Sequence, residues 1–567
     1  MAMVFTAGAV AAISSAQSTL HFTDVSAGSG LDQFSHNPNA LAVPGLNEWT
    51  MGGLGVADFD GDGLVDVFVP RGGVGTDRLF MNRGDGTFVN EAAVRGVAAV
   101  HAGNGVACAD FDADGDFDIF LTSYGSGSDN LGEVGRHRLY RNDGGVFTEI
   151  AAAVGVATSS STSATANGAA WGDIDLDGDL DLAVCGWSAS VAGNRVFRND
   201  GGVFTDITGA GFIVQGTWGF QPLFVDTTGD GFPELLIAAD FQTSRAFRNR
   251  RDGTFVLATD EFGMGVDRNG MGVCVGDFDR NGAVDTYVTS IYMDVPPARA
   301  HNGNALYLNS GEGVCEQDAA ARGCVDGGWG WGAVAADFDH DGWEEIAEVN
   351  GRNGGEWIGE QEYIFHNDGG SFVRAGAETG VTLAADARCV ATLDYDRDGD
   401  LDLVLLANSG PLRLYRNDSK RVGRWLELDL EGGGLGALSE VTFATSSGVE
   451  TVRRWVHSGS GYQSSHDPVV HFGLPTSARV AEVRVLWPSG QTTVIPAMEL
   501  DVRHEVARPL RADLDGDGLV GGADLVHLFA VWGAKDRSDR AMRAADLQLD
   551  GIVNHRDLAA LLSAWSR

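Results

Sequence analysis

The sequence predicts a mainly β protein, in which a seven-bladed β-propeller precedes a small β-sandwich and a short helical tail. Three observations lead to this fold class. An acidic nine-residue loop recurs seven times, at intervals of 51 to 63 residues. Apolar, β-rich runs flank each copy, and a hairpin signature follows most of them. The end of the chain carries a loop-plus-helix unit that is duplicated at an offset of 33 residues. Such periodicity indicates a repeat architecture.

The composition limits the classes of partner. The chain has 567 residues, enough for several compact domains, and a net charge of −40 from 79 acidic and 39 basic side chains. That excess argues against nucleic acid or an anionic membrane surface as a partner. A hydrophobic content of 44% is ordinary, so the acidic residues must lie within folded domains. After the N-terminus, no stretch reaches the roughly 18 apolar residues of a membrane span.

The first 16 residues resemble a secretory signal peptide. An apolar stretch leads to a small-residue site that ends at Ala16, which predicts cleavage before Gln17. The stretch has no Lys or Arg, so a disordered N-terminus is the alternative. The signal peptide predicts a protein that is secreted or associated with the cell surface.

The acidic loop follows the pattern D-x-D-x-D-G-x-x-D. Carboxylates at positions 1, 3 and 5 converge only when the chain curls tightly, and the glycine at position 6 permits that curl. Gathered without a cation, they would repel and raise one another's pKa. An oxygen cage completed by a backbone carbonyl at position 7 suits Ca²⁺. A single loop of this kind can be a solvated acidic turn, but seven copies in register favour calcium.

The candidate ligands occupy positions 1, 3, 5 and 9 of the seven loops. They are Asp58, Asp60, Asp62 and Asp66; Asp110, Asp112, Asp114 and Asp118; Asp173, Asp175, Asp177 and Asp181; Asp226, Asp230 and Glu234; Asp277, Asp279, Asn281 and Asp285; Asp337, Asp339, Asp341 and Glu345; and Asp394, Asp396, Asp398 and Asp402. In loop four, Thr228 replaces the acid at position 3. We therefore expect loop four to bind calcium weakest or to stay empty.

A second signature follows the loops. It reads LFMNRGDGTF at residues 79–88 and LYRNDGGVF at 139–147, and its Asn-Gly region marks a hairpin turn. One repeat then totals about four strands, the size of a propeller blade. The seventh copy stops at residue 418 without its last strand, while an unmatched copy of that strand begins at His21. We predict that the N-terminal strand completes the last blade and removes an exposed sheet edge.

These motifs make residues 20–418 similar to the FG-GAP/VCBS repeat family, the integrin α-chain type of propeller. The resemblance implies calcium in the acidic loops and a role in adhesion or ligand binding. A minority of similar propellers are polysaccharide lyases, so an enzymatic role is the alternative that the resemblance leaves open.

Residues 423–506 alternate apolar and polar side chains and predict a small β-sandwich. The segments GSGYQSSHDPVVHFGL (459–474) and VRVLWPSG (483–490) resemble the ASPIC/UnbV domain, a resemblance that implies no particular activity. Four residues here invite assignment to a site: Tyr462, His466, His471 and Trp487. Packing in the core or at the rim is the commoner role of such side chains, so we assign them no function.

Residues 511–567 contain the duplication. Each copy is an EF-hand-like loop followed by one amphipathic helix, with ligands Asp513, Asp515, Asp517 and Asp524 in the first and Asp546, Asp550, Asn554 and Asp557 in the second. Gln548 departs from the pattern. The unit resembles a type I dockerin, which implies a cohesin-like partner. Alternatively, the leucines and tryptophans repeated between the helices pack together as a partnerless cap; they are Leu525, Leu528 and Trp532 with Leu558, Leu561 and Trp565.

We find no nucleophile elbow, metalloprotease motif or phosphate-binding glycine loop. We therefore expect a calcium-binding adhesion or recognition protein that binds an extracellular protein or polysaccharide through the propeller, with attachment through the tail. The alternatives are a polysaccharide lyase or hydrolase carried on a dockerin, and an exported structural protein. Nine residues in the loops before the inner strands either line one sugar-binding mouth of a central channel or pack along the axis, and we favour axial packing. They are His101, Asn104, Asn167, Trp218, Arg268, Trp329, Trp331, Arg352 and Arg388.

The six cysteines are too few for a disulfide scaffold. Cys108, Cys274 and Cys389 occupy one repeat position and are expected to act as small buried apolar residues. Cys315 and Cys324 close a short loop and form a candidate disulfide, which sequence alone does not decide.

Overall fold

The computed structural model describes residues 20–36, 50–72, 75–124, 136–158, 165–187, 193–209, 216–293, 302–352, 357–383, 385–516, 518–537 and 539–565. The predicted signal peptide and Asp517 lie outside these ranges. Strands dominate, which confirms a mainly β, propeller-like fold. Within the described ranges, no helix is both long and apolar enough to span a membrane.

Strands β1 to β28 form seven units of four antiparallel strands, each of which places its acidic loop between its first and second strands. The units are β2 (Leu54–Ala57), β3 (Asp66–Val69), β4 (Arg78–Asn82), β5 (Phe88–Asn90); β6 (Gly103–Ala109), β7 (Asp118–Ser123), β8 (Arg138–Asn142), β9 (Phe147–Glu149); β10 (Thr165–Gly172), β11 (Asp181–Trp187), β12 (Arg195–Asn199), β13 (Phe204–Asp206); β14 (Trp218–Val225), β15 (Glu234–Asp240), β16 (Arg245–Asn249), β17 (Phe255–Leu257); β18 (Val273–Gly276), β19 (Asp285–Val288), β20 (Ala305–Asn309), β21 (Cys315–Gln317); β22 (Gly330–Ala336), β23 (Glu345–Asn350), β24 (Tyr363–Asn367), β25 (Phe372–Ala375); and β26 (Ala387–Leu393), β27 (Asp402–Ala407), β28 (Leu412–Asn417), β1 (Phe22–Asp24). Short helices α1 (Ala92–Arg95), α2 (Ala151–Val154) and α3 (Ala319–Arg322) follow the last strands of units one, two and five.

The first strands of the units lie side by side around a common axis. β26 contacts β2, β2 contacts β6, β6 contacts β10 and β10 contacts β14, while β18 contacts β22 and β22 contacts β26. Strands β14 and β18 share one apolar cluster. The close approach requires small residues: a Cβ on Gly55 would lie 2.7 Å from the Val106 side chain and 2.9 Å from the sulfur of Cys108. The predicted buried position of Cys108 is confirmed, as it is for Cys274 and Cys389.

Both ends of the repeat region build unit seven. β1 pairs with β28 in antiparallel register, with Phe22 opposite Asn417 and Asp24 opposite Tyr415. The Phe22 ring also packs edge-on against Phe338, with 5.4 Å between ring centroids. This pairing is the one that the sequence predicts, and it covers an edge that would otherwise be open to another chain.

The candidate disulfide is wrong, because Cys315 and Cys324 are both free thiols. Cys315 lies in β21 and packs against the cluster shared with unit four. Cys324 follows α3 and is buried in a different cluster, between units five and six. The two side chains therefore contribute to two separate apolar layers.

The region after unit seven consists of two sheets that share one core. One sheet has the strand order β33-β29-β36 and the other β31-β30-β34-β35. Trp487 and His471 are both buried, as expected of core packing. The strands are β29 (Gly423–Leu430), β30 (Leu438–Thr445), β31 (Gly448–Trp455), β32 (Ser464–Ser465), β33 (Val470–Pro475), β34 (Arg479–Leu486), β35 (Thr492–Pro496) and β36 (Arg503–Val506).

In the described part of residues 511–567, which we call the C-terminal region, there are three helices: α4 (Gly522–Ala530), α5 (Arg540–Ala545) and α6 (His555–Ser563). Leu528 and Leu561 are fully buried in its small core. Trp532 and Trp565 are 43% and 38% exposed. The repeated leucines therefore pack together, as the self-packing alternative predicts, whereas the repeated tryptophans face outward.

Candidate metal loops, filled axis and aromatic face

Backbone hydrogen bonds curl each acidic loop around its first carboxylate. In loop one, Asp58 accepts hydrogen bonds from the backbone N–H groups of Gly61 at 2.9 Å and Gly63 at 2.7 Å. Gly63 has a φ of 83°, in the left-handed region. The glycine at position 6 is thus required by the backbone conformation, as the sequence predicts.

The loops carry a second left-handed residue, at position 4, that the sequence pattern does not reveal. Loops one and four have glycine there, but the other five have side chains with φ between 56° and 62°: Ala113, Leu176, Arg280, His340 and Arg397. A left-handed non-glycine residue costs about 1–2 kcal/mol. Strain of this kind persists where the surroundings fix the conformation, and it is concentrated at ligand sites.

The carboxylates of the loops converge. In loops one, two, three and five, three oxygen atoms lie within 4.8 Å of one another, one from each of three loop carboxylates. Calcium binds oxygen ligands at about 2.3–2.6 Å, so atoms this close fit around one ion. The converging residues are Asp58, Asp60 and Asp62; Asp110, Asp112 and Asp118; Asp173, Asp175 and Asp181; and Asp277, Asp279 and Asp285.

Loop six adds a residue that the sequence analysis missed. Its converging group is Asp339, Glu345 and His366, the last of which lies in β24. The Nε2 atom of His366 lies 3.5 Å from a carboxylate oxygen of Asp339. The corresponding strand position holds arginine in several other units, such as Arg141 and Arg198, so a comparison of repeats could have found it.

The position-9 carboxylates are buried among like charges. Burial raises the pKa of Asp66 to about 8, and the neighbouring Asp60 and Asp58 carboxylates also raise it. Burial raises the pKa of Asp118 to about 9 and that of Asp285 to about 8 in the same way. A divalent cation would offset this cost of ionisation. The donor set therefore fits calcium in these loops, and its binding there stays a prediction.

An asparagine of the hairpin signature donates a hydrogen bond to the position-9 carboxylate, as unit two shows. Asp118 accepts a hydrogen bond from the backbone N–H of Asn142 at 2.7 Å. The Asn142 side chain donates to the carbonyl oxygens of Phe117, in its own unit, and of Phe59, in the preceding unit. The same bridge between units is made by Asn82, Asn249, Asn309, Asn367 and Asn417. The hairpin signature thus also joins the units.

The two loops of the C-terminal region have the same construction. Asp513 accepts hydrogen bonds from the N–H groups of Gly516 and Gly518, both at 2.8 Å. At position 12, Asp557 accepts a hydrogen bond from the backbone N–H of Gln548 at 3.0 Å. The predicted ligands Asp546 and Asp550 lie in that same loop, where Asp546 accepts from the Asp550 N–H at 3.1 Å. Metal binding at both loops stays a prediction.

A segment of the region after unit seven, Gly459–Ser465, lies in the space between the first strands of the units. Ser464 and Ser465 pair in parallel with Leu54 and Gly55 of β2. On the other side, Gly461 forms an antiparallel bridge with Val273 of β18. The segment thus extends the sheets of units one and five. We refer to it as the axial segment.

Tyr462 is the central side chain of the axial segment. It is fully buried, and its ring lies 5.1 Å from Trp331 and 5.7 Å from Phe220. Its hydroxyl donates to the carbonyl oxygen of Thr50 at 2.7 Å. The packing role expected for Tyr462 is correct, but its location at the axis, in contact with the repeats, is not apparent from sequence.

The nine candidate mouth residues divide into two groups. Five are fully buried, in agreement with axial packing: His101, Asn104, Asn167, Trp331 and Arg388. Asn167, for example, accepts a hydrogen bond from the Gln463 side chain at 3.0 Å. Trp329 is also buried, at 9% exposure. The other three reach the surface at the end of the units opposite the acidic loops: Trp218, Arg268 and Arg352.

Aromatic rings cluster at that opposite end, which we call the aromatic face. Trp187 lies 4.8 Å from Trp218 and 6.0 Å from Phe241, between ring centroids. Phe241 is 56% exposed, with a left-handed φ of 56°. A second pair, Trp329 and Trp357, has centroids 4.8 Å apart. Trp187, Phe241 and Trp357 were missed because they lie in turns and strand ends with no recurring pattern.

At the other end, several acidic loops contact the region of residues 423–506. Arg453 donates to the carbonyl of Gly282 in loop five at 2.8 Å, and His471 lies 3.1 Å from the carbonyl of Gly399 in loop seven. A Cβ on Gly433 would lie 2.8 Å from the ring of Phe117 in loop two. These contacts place the region of residues 423–506 against loops two, five and seven.

Two known protein families match parts of the chain. The FG-GAP-like repeat family matches residues 58–121 and 226–288, and the ASPIC and UnbV family matches residues 432–511. The chain therefore contains FG-GAP-like repeats and an ASPIC/UnbV domain, as the motifs predict. The resemblance of the tail to a dockerin stays a prediction.

Among curated proteins, the chain is similar to cartilage acidic protein 1. It is 26% identical to the Homo sapiens protein over 468 residues, which cover 77% of this chain and 60% of the relative. It is 25% identical to the Xenopus tropicalis protein over 485 residues, which cover 81% of this chain and 65% of the relative. The match thus spans less than two thirds of these relatives.

Proposed function

We propose that this chain, which carries FG-GAP-like repeats and an ASPIC/UnbV domain, is a secreted calcium-binding recognition protein. In this proposal, the seven units are the blades of one propeller, and calcium ions in the acidic loops stabilise it. The ligand binds at the aromatic face. The signal-peptide-like residues 1–16 support secretion.

The observation that carries this proposal is the difference between the two ends of the units. The region of residues 423–506 contacts several acidic loops, for example through Arg453 and His471. The axial segment fills the space between the first strands, with Tyr462 fully buried. The aromatic face keeps exposed rings such as Phe241. Solvent-exposed aromatic clusters are uncommon away from binding sites.

The chemistry of the aromatic face favours a polysaccharide ligand. Aromatic rings stack on the apolar faces of sugar rings, and polar groups beside them bind hydroxyls. Asp240 lies between Trp187 and Asn269, whose side chains donate to its two oxygens at 3.1 and 2.6 Å. These bonds fix the carboxylate, which is 9% exposed, beside the rings that we propose stack on a sugar.

A glycan array probed with the purified full-length chain tests this proposal. We expect binding to at least one polysaccharide class, and about tenfold or greater weakening in the double variant W218A/F241A. W532A removes an exposed tryptophan from the turn after α4 and serves as the matched control, with wild-type binding expected. Equal binding by both variants would contradict the assignment of the aromatic face. Binding to a protein array alone would replace the glycan with a protein ligand.

A polysaccharide lyase or hydrolase is the competing function. The exposed aromatic face would also suit a catalytic channel mouth, but five of the nine candidate mouth residues are buried in axial packing. Incubation with pectic substrates and measurement of unsaturated products separates the two functions. We expect no product, and release of unsaturated oligosaccharides would establish an enzyme.

The tail supports attachment to a partner protein. Its outward surface presents Val526 and Phe529 from α4 and Trp532 from the turn that follows it, at 68%, 49% and 43% exposure. Trp565 occupies the equivalent place after α6. We propose that this apolar surface binds a cohesin-like domain. Binding to a panel of purified cohesin domains should be lost in F529A/W532A and retained in the exposed-arginine variant R556A; binding unaffected by F529A/W532A would contradict this surface.

A further inference from the structure

Loop four combines a missing acid with an arginine on its position-5 carboxylate. Thr228 replaces the acid at position 3, and Asp230, at position 5, is already paired. In loop seven Asp398 also pairs with an arginine, Arg421 at 3.1 Å, but that loop keeps its acid at position 3. Two guanidinium nitrogens of Arg251 lie 2.8 Å from the same oxygen of Asp230. The other oxygen accepts a hydrogen bond from the Phe232 N–H at 2.9 Å. The donor set of loop four therefore does not fit calcium as the other loops do.

Arg251 holds this position at the cost of backbone strain. It lies in the hairpin of unit four with a left-handed φ of 64°. The equivalent residue in other units is a glycine that has the same conformation, such as Gly84, Gly144 and Gly201. A side chain is disfavoured in this region of φ, so its presence here indicates a compensating contact. The contact is the ion pair with Asp230, in which two guanidinium nitrogens share one carboxylate oxygen.

A second arginine approaches loop four from the C-terminal region. Arg543, in α5, donates to the backbone carbonyl of Asp230 at 3.0 Å and is only 6% exposed. Its guanidinium carbon lies 5.6 Å from the centre of the Phe232 ring. The same guanidinium also donates to the carbonyl of Arg537, whose side chain donates to the carbonyl of Leu176 in loop three. The C-terminal region thus contacts two neighbouring loops through arginines.

We infer that loop four is a metal-free anchor for the C-terminal region, in which the guanidinium groups of Arg251 and Arg543 take the place that calcium takes elsewhere. This inference rests on the calcium loading proposed for the other loops. Two fixed positive charges repel a divalent cation, and the missing acid at Thr228 removes one of its ligands. The anchor holds α5 against units three and four, at the end opposite the aromatic face.

Calcium content distinguishes loop four from loop three. Asp230 and Asp177 both occupy position 5 of their loops. In the full-length chain, dialysed against a calcium buffer and analysed by mass spectrometry of the metal, D177N should lose one calcium ion per chain. D230N should lose none. Loss of one ion from D230N would overturn the inference, whereas no loss from either variant would overturn calcium loading itself, on which the inference depends.

Restoring the pattern of the other loops should create a site. The double variant T228D/R251G gives loop four the acid and the glycine found in loop one and should bind one more calcium ion than wild type. R250S replaces the neighbouring arginine with serine, the residue that unit five has at the equivalent position, Ser310. This control should leave the calcium content unchanged. An unchanged content in T228D/R251G would count against the assignment of Arg251 and Thr228 as the residues that exclude the ion.

Hydrogen exchange tests the anchor separately from the metal. With calcium present throughout, R543A should increase exchange at least tenfold in α5, because the contact with loop four is lost. The control R556A removes an exposed arginine that pairs only locally with Asp550, and α5 should exchange as in wild type. Wild-type protection of α5 in R543A would overturn the anchoring role.

Discussion

The side-chain amide of Asn142 donates a hydrogen bond to the backbone carbonyl of Phe59, 2.9 Å away and 83 residues earlier in the chain. Phe59 is the second residue of acidic loop one, so the bond joins the hairpin of unit two to the loop of unit one. The amide of Asn417 makes the equivalent bond to Phe338 at 2.9 Å. The contact between neighbouring units thus depends on the acidic loops keeping their curled conformation.

Replacing Asn142 with alanine should therefore destabilise the units as a group. The substitution leaves the buried carbonyl of Phe59 and the half-buried carbonyl of Phe117 without this donor, and we expect a loss of about 2–4 kcal/mol in the free energy of unfolding. Urea unfolding followed by tryptophan fluorescence measures it. The neighbouring R141A variant removes a side chain that is 41% exposed and should change stability by less than about 0.5 kcal/mol. Similar values for the two variants would contradict the bridging role.

Tyr462 should matter to the stability of the repeats although it belongs to the ASPIC/UnbV region. Y462A removes a fully buried ring from between Trp331 and Phe220, with an expected cost of about 3–5 kcal/mol. Y462F loses only the hydrogen bond to Thr50, with an expected cost of about 1 kcal/mol. Urea unfolding of both variants, with the exposed-residue variant V449A as control, checks the order. Wild-type stability of Y462A would contradict the filled axis.

The buried histidine His101 should make stability depend on pH. Burial, together with the nearby charge of Arg138, lowers its pKa to about 3. The unfolded chain takes up this proton below about pH 6.5, whereas the folded chain does so only near pH 3. The contribution to stability is therefore present above pH 6.5 and is lost as the pH falls from 6.5 towards 3, by at most about 1.4 kcal/mol per pH unit.

A glutamine substitution isolates this effect. H101Q should lose less stability than wild type between pH 7 and pH 5, in urea unfolding at saturating calcium. H527Q replaces an exposed histidine of α4 and should follow the wild-type curve. Parallel curves for wild type and H101Q would show that His101 is not buried in its neutral form.

Local features of this chain are readable from its sequence, and long-range ones are not. The curled loop around Asp58 and the pairing of β1 with β28 follow from repeated local patterns. The location of Tyr462 does not, because its hydroxyl contacts Thr50, 412 residues away, and no periodic pattern encodes that approach. The left-handed backbone at Leu176 is not apparent from sequence either, since position 4 holds Gly, Ala, Leu, Arg or His in different loops.

The aromatic face and the anchor at loop four needed three-dimensional information for a related reason. Trp187 and Trp218 come from different units, and only the close approach of β11 to β14 brings their rings together. Arg251 and Thr228 each differ from the repeat pattern, so an alignment of the repeats shows both differences. That Arg251 pairs with Asp230 depends on the packing of the hairpin onto the loop.

The thermal unfolding of the full-length chain, with millimolar calcium and again with excess EGTA, tests the central claim most directly. When the free calcium concentration is 100 times the dissociation constant of a site, binding at that site stabilises the folded chain by about 2.7 kcal/mol. Loss of several ions should therefore lower the melting temperature by more than about 10 °C. Addition of calcium back to the EGTA-treated sample should restore it. A melting temperature that is the same in calcium and in EGTA would contradict the claim that calcium ions in the acidic loops hold the units together.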